Sequence, residues 1–126
     1  MPKLPAARIL VIDDNAGVVN LLAASLSAEG HTVVSALTSD EGLELVTRIQ
    51  PDLVLLDVVL PGMSGIEVLK RVRAINPKTR VIMLTGNVDP SDVRKALELG
   101  AFAYVDKPFD FTHLKSLVAM ALREGA

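Results

Sequence analysis

A doubly wound α/β domain is the fold class that this sequence predicts, and three observations predict it. Short runs of strand-forming apolar residues recur five times along the 126 residues. The segments between them carry apolar residues at helical spacing, and each helix passes into the next strand without a long loop. One run, Leu53-Val54-Leu55-Leu56, is apolar without alternation, the pattern of a strand covered on both faces. Strands and helices alternating in this way form a parallel sheet through right-handed crossovers, with helices on both faces. For five strands the common order is 2-1-3-4-5, a flavodoxin-like three-layer sandwich with five helices.

Ile9-Leu10-Val11-Ile12 is the first strand, and it runs into Asp13-Asp14-Asn15. A helix follows from Asn15 to about Glu29, with Val18, Leu21, Leu22 and Leu26 expected on its inner face and Gly30 as its left-handed stop. Thr32–Ala36 is the second strand. Thr38-Ser39-Asp40-Glu41 has capping-box spacing and opens a helix with Leu43, Val46 and Ile49 inward, ended by Pro51. The third strand, from Leu53, ends on Asp57, and Pro61-Gly62 makes the turn. Ser64-Gly65-Ile66-Glu67 is a second capping box, leading Val68, Leu69, Val72 and Ile75 into a helix that Asn76-Pro77 ends. Val81–Leu84 is the fourth strand, closed by Thr85-Gly86-Asn87. Asp89-Pro90 caps and starts a helix through Val93, Ala96 and Leu97, stopped at Gly100. Ala103-Tyr104-Val105 is a short fifth strand before Asp106-Lys107-Pro108. Asp110 caps the last helix, whose stripe is Leu114, Leu117, Val118, Ala121 and Leu122. The repeat uses the whole chain, so one domain is expected over residues 1–126, with its core at about 8–123.

Composition narrows the function. Half of the residues are apolar but only 3% are aromatic, so Val, Leu, Ile and Ala must fill the core. The net charge is −2, and no basic run or basic–aromatic interleaving points to direct nucleic-acid binding. The absence of cysteine excludes disulfides, thiol catalysis and thiolate metal sites. His31 and His113 lack metal-ligand spacing and are expected at caps or on the surface. Met1–Pro5 has no apolar leader core and no stretch reaches transmembrane length, so a cytoplasmic protein without membrane attachment is expected.

Function is expected at the carboxyl ends of the strands, where ligands sit in open α/β sheets. In the order 2-1-3-4-5, adjacent strands end in Asp13-Asp14, Asp57 and Thr85, and Lys107 lies just past the fifth strand. Two like charges near 4 Å repel by roughly 4 kcal/mol at an effective dielectric of 20, so three carboxylates need a proton, a cation or both. An all-oxygen cluster suits Mg²⁺, with Mn²⁺ able to replace it. A carboxylate nucleophile, a hard cation, a lysine and a hydroxyl donor together make a phosphoryl-transfer set.

The motifs Val11-Ile12-Asp13-Asp14-Asn15, Leu56-Asp57-Val58-Val59-Leu60-Pro61-Gly62-Met63-Ser64-Gly65, Leu84-Thr85-Gly86 and Asp106-Lys107-Pro108-Phe109 complete the picture. From Arg8 to Arg123 the sequence resembles a response-regulator receiver domain, the phosphoacceptor module of bacterial two-component signalling. The resemblance implies that Asp57 is phosphorylated. It makes Asp14 a direct Mg²⁺ ligand, Asp13 a ligand through water, and Asp57 and the backbone carbonyl of Val59 further ligands. Thr85 and Lys107 would contact phosphoryl oxygens, Thr85 and Tyr104 would form the switch, and Lys107-Pro108 would be a cis bond. Val59, Asn87 and Pro108 would flank the site, with apolar Val59 and neutral Asn87 tuning the lifetime of the phosphorylated state. The phosphodonor would be a sensor histidine kinase, a phosphotransfer protein or acetyl phosphate. An effector would read the face made by the fourth helix, fifth strand and last helix, and phosphorylation would favour a homodimer. Such a domain phosphorylates itself and signals through a phosphorelay, without a turnover substrate of its own.

Three rival readings stand against this one. A phosphatase of the haloacid dehalogenase type wants a second Asp two residues after its nucleophile, and Val59 stands there. A flavin binder of the same fold wants a Ser/Thr/Gly-rich phosphate loop after the first strand, where Asp13-Asp14 would repel phosphate. A receiver that signals without turning over phosphate is the remaining alternative; the presence of Asp14, Asp57, Thr85 and Lys107 argues against it.

Overall fold

The computed structural model describes residues 6–86 and 89–125. The elements follow in strict alternation: β1 (Arg8–Ile12), α1 (Ala16–Ser27), β2 (Thr32–Ala36), α2 (Ser39–Ile49), β3 (Leu53–Asp57), α3 (Gly65–Ile75), β4 (Arg80–Thr85), α4 (Pro90–Glu98), β5 (Ala103–Asp106) and α5 (Phe111–Gly125). The strands pair in parallel in the order β2-β1-β3-β4-β5, as the sequence predicts. β3 is the central strand, and all five of its residues are buried.

The lack of alternation in β3 has its cause in the two packed faces of the sheet. Leu10, Ile12, Val54, Leu56, Val81 and Met83 face one way, against Val46 of α2, Val68, Leu69 and Val72 of α3, and Ala96 of α4. Ile9, Val11, Leu53, Leu55, Ile82 and Leu84 face the other way, against Val19, Leu22 and Leu26 of α1 and Leu114, Val118 and Ala121 of α5. Successive residues of a strand point to opposite faces, so both sets must be apolar. Burying each of these larger side chains contributes roughly 1.5–3 kcal/mol before entropy is counted.

The predicted caps form: Thr38, Ser64 and Asp89 accept from the backbone N–H groups of Glu41, Glu67 and Ser91. Asn15, read only as the start of a helix, also caps α1 by accepting from Val18. Asp110 accepts from Thr112 and His113 at the start of α5. The inner faces of three helices differ from expectation. Leu21, Ile75 and Leu97 are exposed; Val19 is buried in α1, and in α4 Ala96 is buried as expected. α1 is apolar almost all round, so its sequence leaves the phase of the buried stripe open and packing decides it. Gln50, before Pro51, takes a left-handed conformation (φ 46°) and returns its N–H to Val46. The residue before a proline is steered out of the helical region, so α2 ends one residue ahead of the proline itself.

Candidate functional site

The carboxyl rim of the sheet gathers the predicted residues from the ends of β1, β3, β4 and β5. Asp13 follows β1 and is fully buried, and its Oδ1 accepts the Asn15 N–H at 2.9 Å. Asp57 is the last residue of β3 and is 5% exposed, with Oδ1 accepting the Val59 N–H at 3.1 Å. Both carboxylates thus commit one oxygen to the local backbone and turn Oδ2 toward the same cation. Lys107 Nζ donates to Asp57 Oδ2 at 3.1 Å and lies 2.7 Å from Asp13 Oδ2. The contact with Asp13 is a close ion pair with a fully buried carboxylate. Asp14 is exposed, and its carboxylate, with those of Asp13 and Asp57, offers oxygens all within 4.8 Å of one another.

This geometry shifts two ionisations. Burial raises the Asp57 pKa, and the neighbouring Asp13 charge adds to the rise; the Val59 N–H and Lys107 offset only part of it. Burial alone would lower the Lys107 pKa, but its contacts with Asp13 and Asp57 outweigh that and raise it. Three crowded carboxylates against a single ammonium form an all-oxygen donor set that fits a hard divalent cation.

The loop after Asp57 is held tightly. The Gly65 N–H donates to the Val58 carbonyl at 2.8 Å, and a Cβ at Gly65 would strike the Asp57 carbonyl oxygen and lie 2.7 Å from Val58 Cα. Only a residue without a side chain lets α3 begin this close to the strand end. The buried Ser39 hydroxyl at the start of α2 donates to the Met63 carbonyl at 2.7 Å and fixes the far side of the loop. Sequence reasoning read Ser39 and Gly65 only as members of capping boxes. Their second role depends on contacts between elements, which local spacing does not encode.

The remaining predicted residues are arranged differently. Thr85 ends β4 and is 1% exposed, but its hydroxyl turns away from the carboxylates: it donates to Asp106 Oδ1 at 2.8 Å and lies 3.3 Å from the Val105 carbonyl. Tyr104 is 43% exposed, on the outer side of β5. Val59 is 63% exposed beside the Asp57 carboxylate. The Lys107-Pro108 peptide is cis, as the resemblance implies. Asn87 lies outside the described residues.

A five-stranded parallel sheet in the order 2-1-3-4-5, with an acidic rim partly offset by one lysine, defines the class: a doubly wound domain of flavodoxin-like architecture. Residues 9–119 match the response regulator receiver domain family, and the chain belongs to that family. Sporulation initiation phosphotransferase F of Bacillus subtilis (strain 168) is 39% identical over 111 residues, 88% of this chain and 90% of that protein. The alkaline phosphatase synthesis transcriptional regulatory protein PhoP of the same organism is 38% identical over 118 residues, 94% of this chain and 49% of that protein. The chain thus spans about half the length of that regulator. Among solved structures, a CheY-like response regulator receiver domain protein from Methanospirillum hungatei JF-1 superposes with a TM-score of 0.92 at 32% identity, covering 95% of this chain and 96% of that one. The chain is therefore a receiver domain of the two-component response-regulator type, a signalling module. Among the described residues, no helix is long and apolar enough to cross a membrane.

Proposed function

We propose that Asp57 accepts a phosphoryl group from the phosphohistidine of a sensor histidine kinase or phosphotransfer protein, or from acetyl phosphate, and that this switches a partner-binding surface. The observation that carries the reading is the bridging of Asp13 and Asp57 by Lys107 beside a third carboxylate. One Asp57 oxygen attacks phosphorus in line with the donor's bond. The new P–O bond forms as the P–N bond to imidazole (or the P–O bond to acetate) breaks, and the leaving group keeps the electron pair. Asp13, Asp14, Asp57 and the Val59 backbone carbonyl would hold Mg²⁺, or Mn²⁺ in its place, and the ion would neutralise charge on the phosphoryl oxygens. Lys107 is already in reach of the attacking carboxylate and pairs with a phosphoryl oxygen once Asp57 carries the acyl phosphate. Thr85 turns its hydroxyl inward to a second oxygen, and Tyr104 follows it. The response is a population shift read on α4, β5 and α5 by an effector domain or a second copy of the chain. The domain works in the cytoplasm as one unit with its core at residues 8–123, and it neither binds nucleic acid directly nor turns over a separate substrate.

Intact-mass spectrometry after incubation with acetyl phosphate tests the proposal. The wild type should gain one phosphate with Mg²⁺ and none with chelator, and Asp57→Asn should gain none. Equal incorporation by Asp57→Asn would overturn the assignment.

A further inference from the structure

We propose that Asp106 is a positioning residue: its carboxylate holds the Thr85 hydroxyl away from the phosphoryl site and so sets how readily the domain switches. The inference rests on the phosphoacceptor reading and extends it to a residue outside the acidic rim. Thr85 and Asp106 are direct partners in the β4–β5 register, and the Lys107 N–H donates to the Thr85 carbonyl at 2.6 Å. The backbone therefore keeps the two side chains side by side at the end of the sheet.

A threonine hydroxyl carries one proton. While it is given to Asp106 Oδ1 at 2.8 Å, it cannot also be given to a phosphoryl oxygen. The hydroxyl is also too buried to take water as its partner, since Thr85 is 1% exposed. A buried hydroxyl needs an acceptor, and the neutral alternative in reach among the described residues is the Val105 carbonyl at 3.3 Å. Hydrogen bonds to a charged acceptor are roughly twice as strong as neutral ones, so the carboxylate is the stronger of the two holds. Asp106 is exposed, so solvent takes over its carboxylate when the hydroxyl leaves. Switching then exchanges one anionic acceptor for another. That exchange is closer to balance than the capture of a free hydroxyl would be, and removing the Asp106 side of it tips it toward the phosphoryl side.

The test measures beryllofluoride affinity with Mg²⁺ present, for the wild type, Asp106→Ala and Asp106→Asn. Asp106→Ala should bind about tenfold more tightly, equal to about 1.4 kcal/mol. Asp106→Asn, which keeps a neutral acceptor of the same shape, should fall between the two. In a Thr85→Ala background, Asp106→Ala should change nothing, which separates loss of the hydroxyl's partner from loss of a negative charge. The NMR shifts of ligand-free Asp106→Ala should lie part-way along the line from free to beryllofluoride-bound wild type. Equal affinity of wild type, Asp106→Ala and Asp106→Asn, or the same tightening in the Thr85→Ala background, would overturn the proposal. Failure of the wild type itself to bind beryllofluoride would overturn the phosphoacceptor reading, and this proposal with it.

Discussion

The rim of the sheet has two halves built on different terms. At the ends of β1 and β3, Asp13 and Asp57 are buried, tied to their own backbone and joined through Lys107. At the ends of β4 and β5, the Thr85 hydroxyl turns outward to Asp106 and Tyr104 stands exposed. The charged half has its carboxylates and lysine already together; in the other half the Thr85 hydroxyl is committed to another partner. Under the proposed function, assembling the reacting groups and reporting that they have reacted are separate tasks, given to different strands.

The largest expected effect comes from breaking the frame of the charged half alone. Gly65→Ala forces a methyl group against the Asp57 carbonyl and Val58, where backbone must move, and should cost about 3 kcal/mol by the scale of overpacked interiors. Urea denaturation measures this, and the NMR signals of Thr85 and Tyr104 should stay near their wild-type positions. Comparable disturbance of both halves would show that they are not independent. Lys107→Ala comes next. Removing one partner of a buried ion pair costs several kcal/mol, and since the Lys107 side chain is 24% exposed, about 2 kcal/mol is expected without metal. A divalent cation should restore much of the loss, as thermal melts with Mg²⁺ and with chelator would show.

A smaller effect follows pH. The Asp57 pKa is raised, so the folded state favours the protonated acid and ionisation costs stability. The cost is absent below the ordinary carboxylate value of 3.8 and complete above the raised value. The stability advantage of Asp57→Asn over metal-free wild type should therefore grow as pH rises from about 3.8 and then level off. A constant difference across that window would remove burial of the ionised carboxylate as its cause. The smallest expected effect concerns the edge of the charged half. Val59 offers no hydrogen bond to a water approaching phosphorylated Asp57, and Val59→Asn should speed loss of phosphate about tenfold, roughly 1.4 kcal/mol in the barrier. A dephosphorylation time course no faster than wild type, in a folded variant, would refute this.

The strands, the caps and the groups of the charged half were legible in the sequence because each is written locally. An unbroken apolar run ending in Asp57 reads as a central strand, and Ser64 three residues before Glu67 reads as a cap. What stayed hidden depends on how elements meet. Leu21 lies on an almost wholly apolar helix, whose orientation only packing decides. The tight approach at Gly65 and the Ser39 bond to Met63 join elements whose separation no spacing rule gives. The Thr85–Asp106 bond depends on the β4–β5 register and on a side-chain rotation. The sequence therefore marks Thr85 as a candidate for the site, but not the direction in which it points.

The placement of β3 and β5 also divides the site in time. β3 is hydrogen-bonded to β1 on one side and β4 on the other and is buried along its length. β5 pairs with β4 alone, at the edge of the sheet, and only Val105 of its four residues is buried. Amides in the middle of a buried sheet exchange their hydrogens only in rare, near-global openings, whereas edges open on their own and far more often. Asp57 is thus anchored in the slowest-breathing part of the molecule and Tyr104 in one of the fastest. Under the proposed function, a phosphoryl group on Asp57 lasting many openings of β5 would be read repeatedly at the edge without any opening of β3.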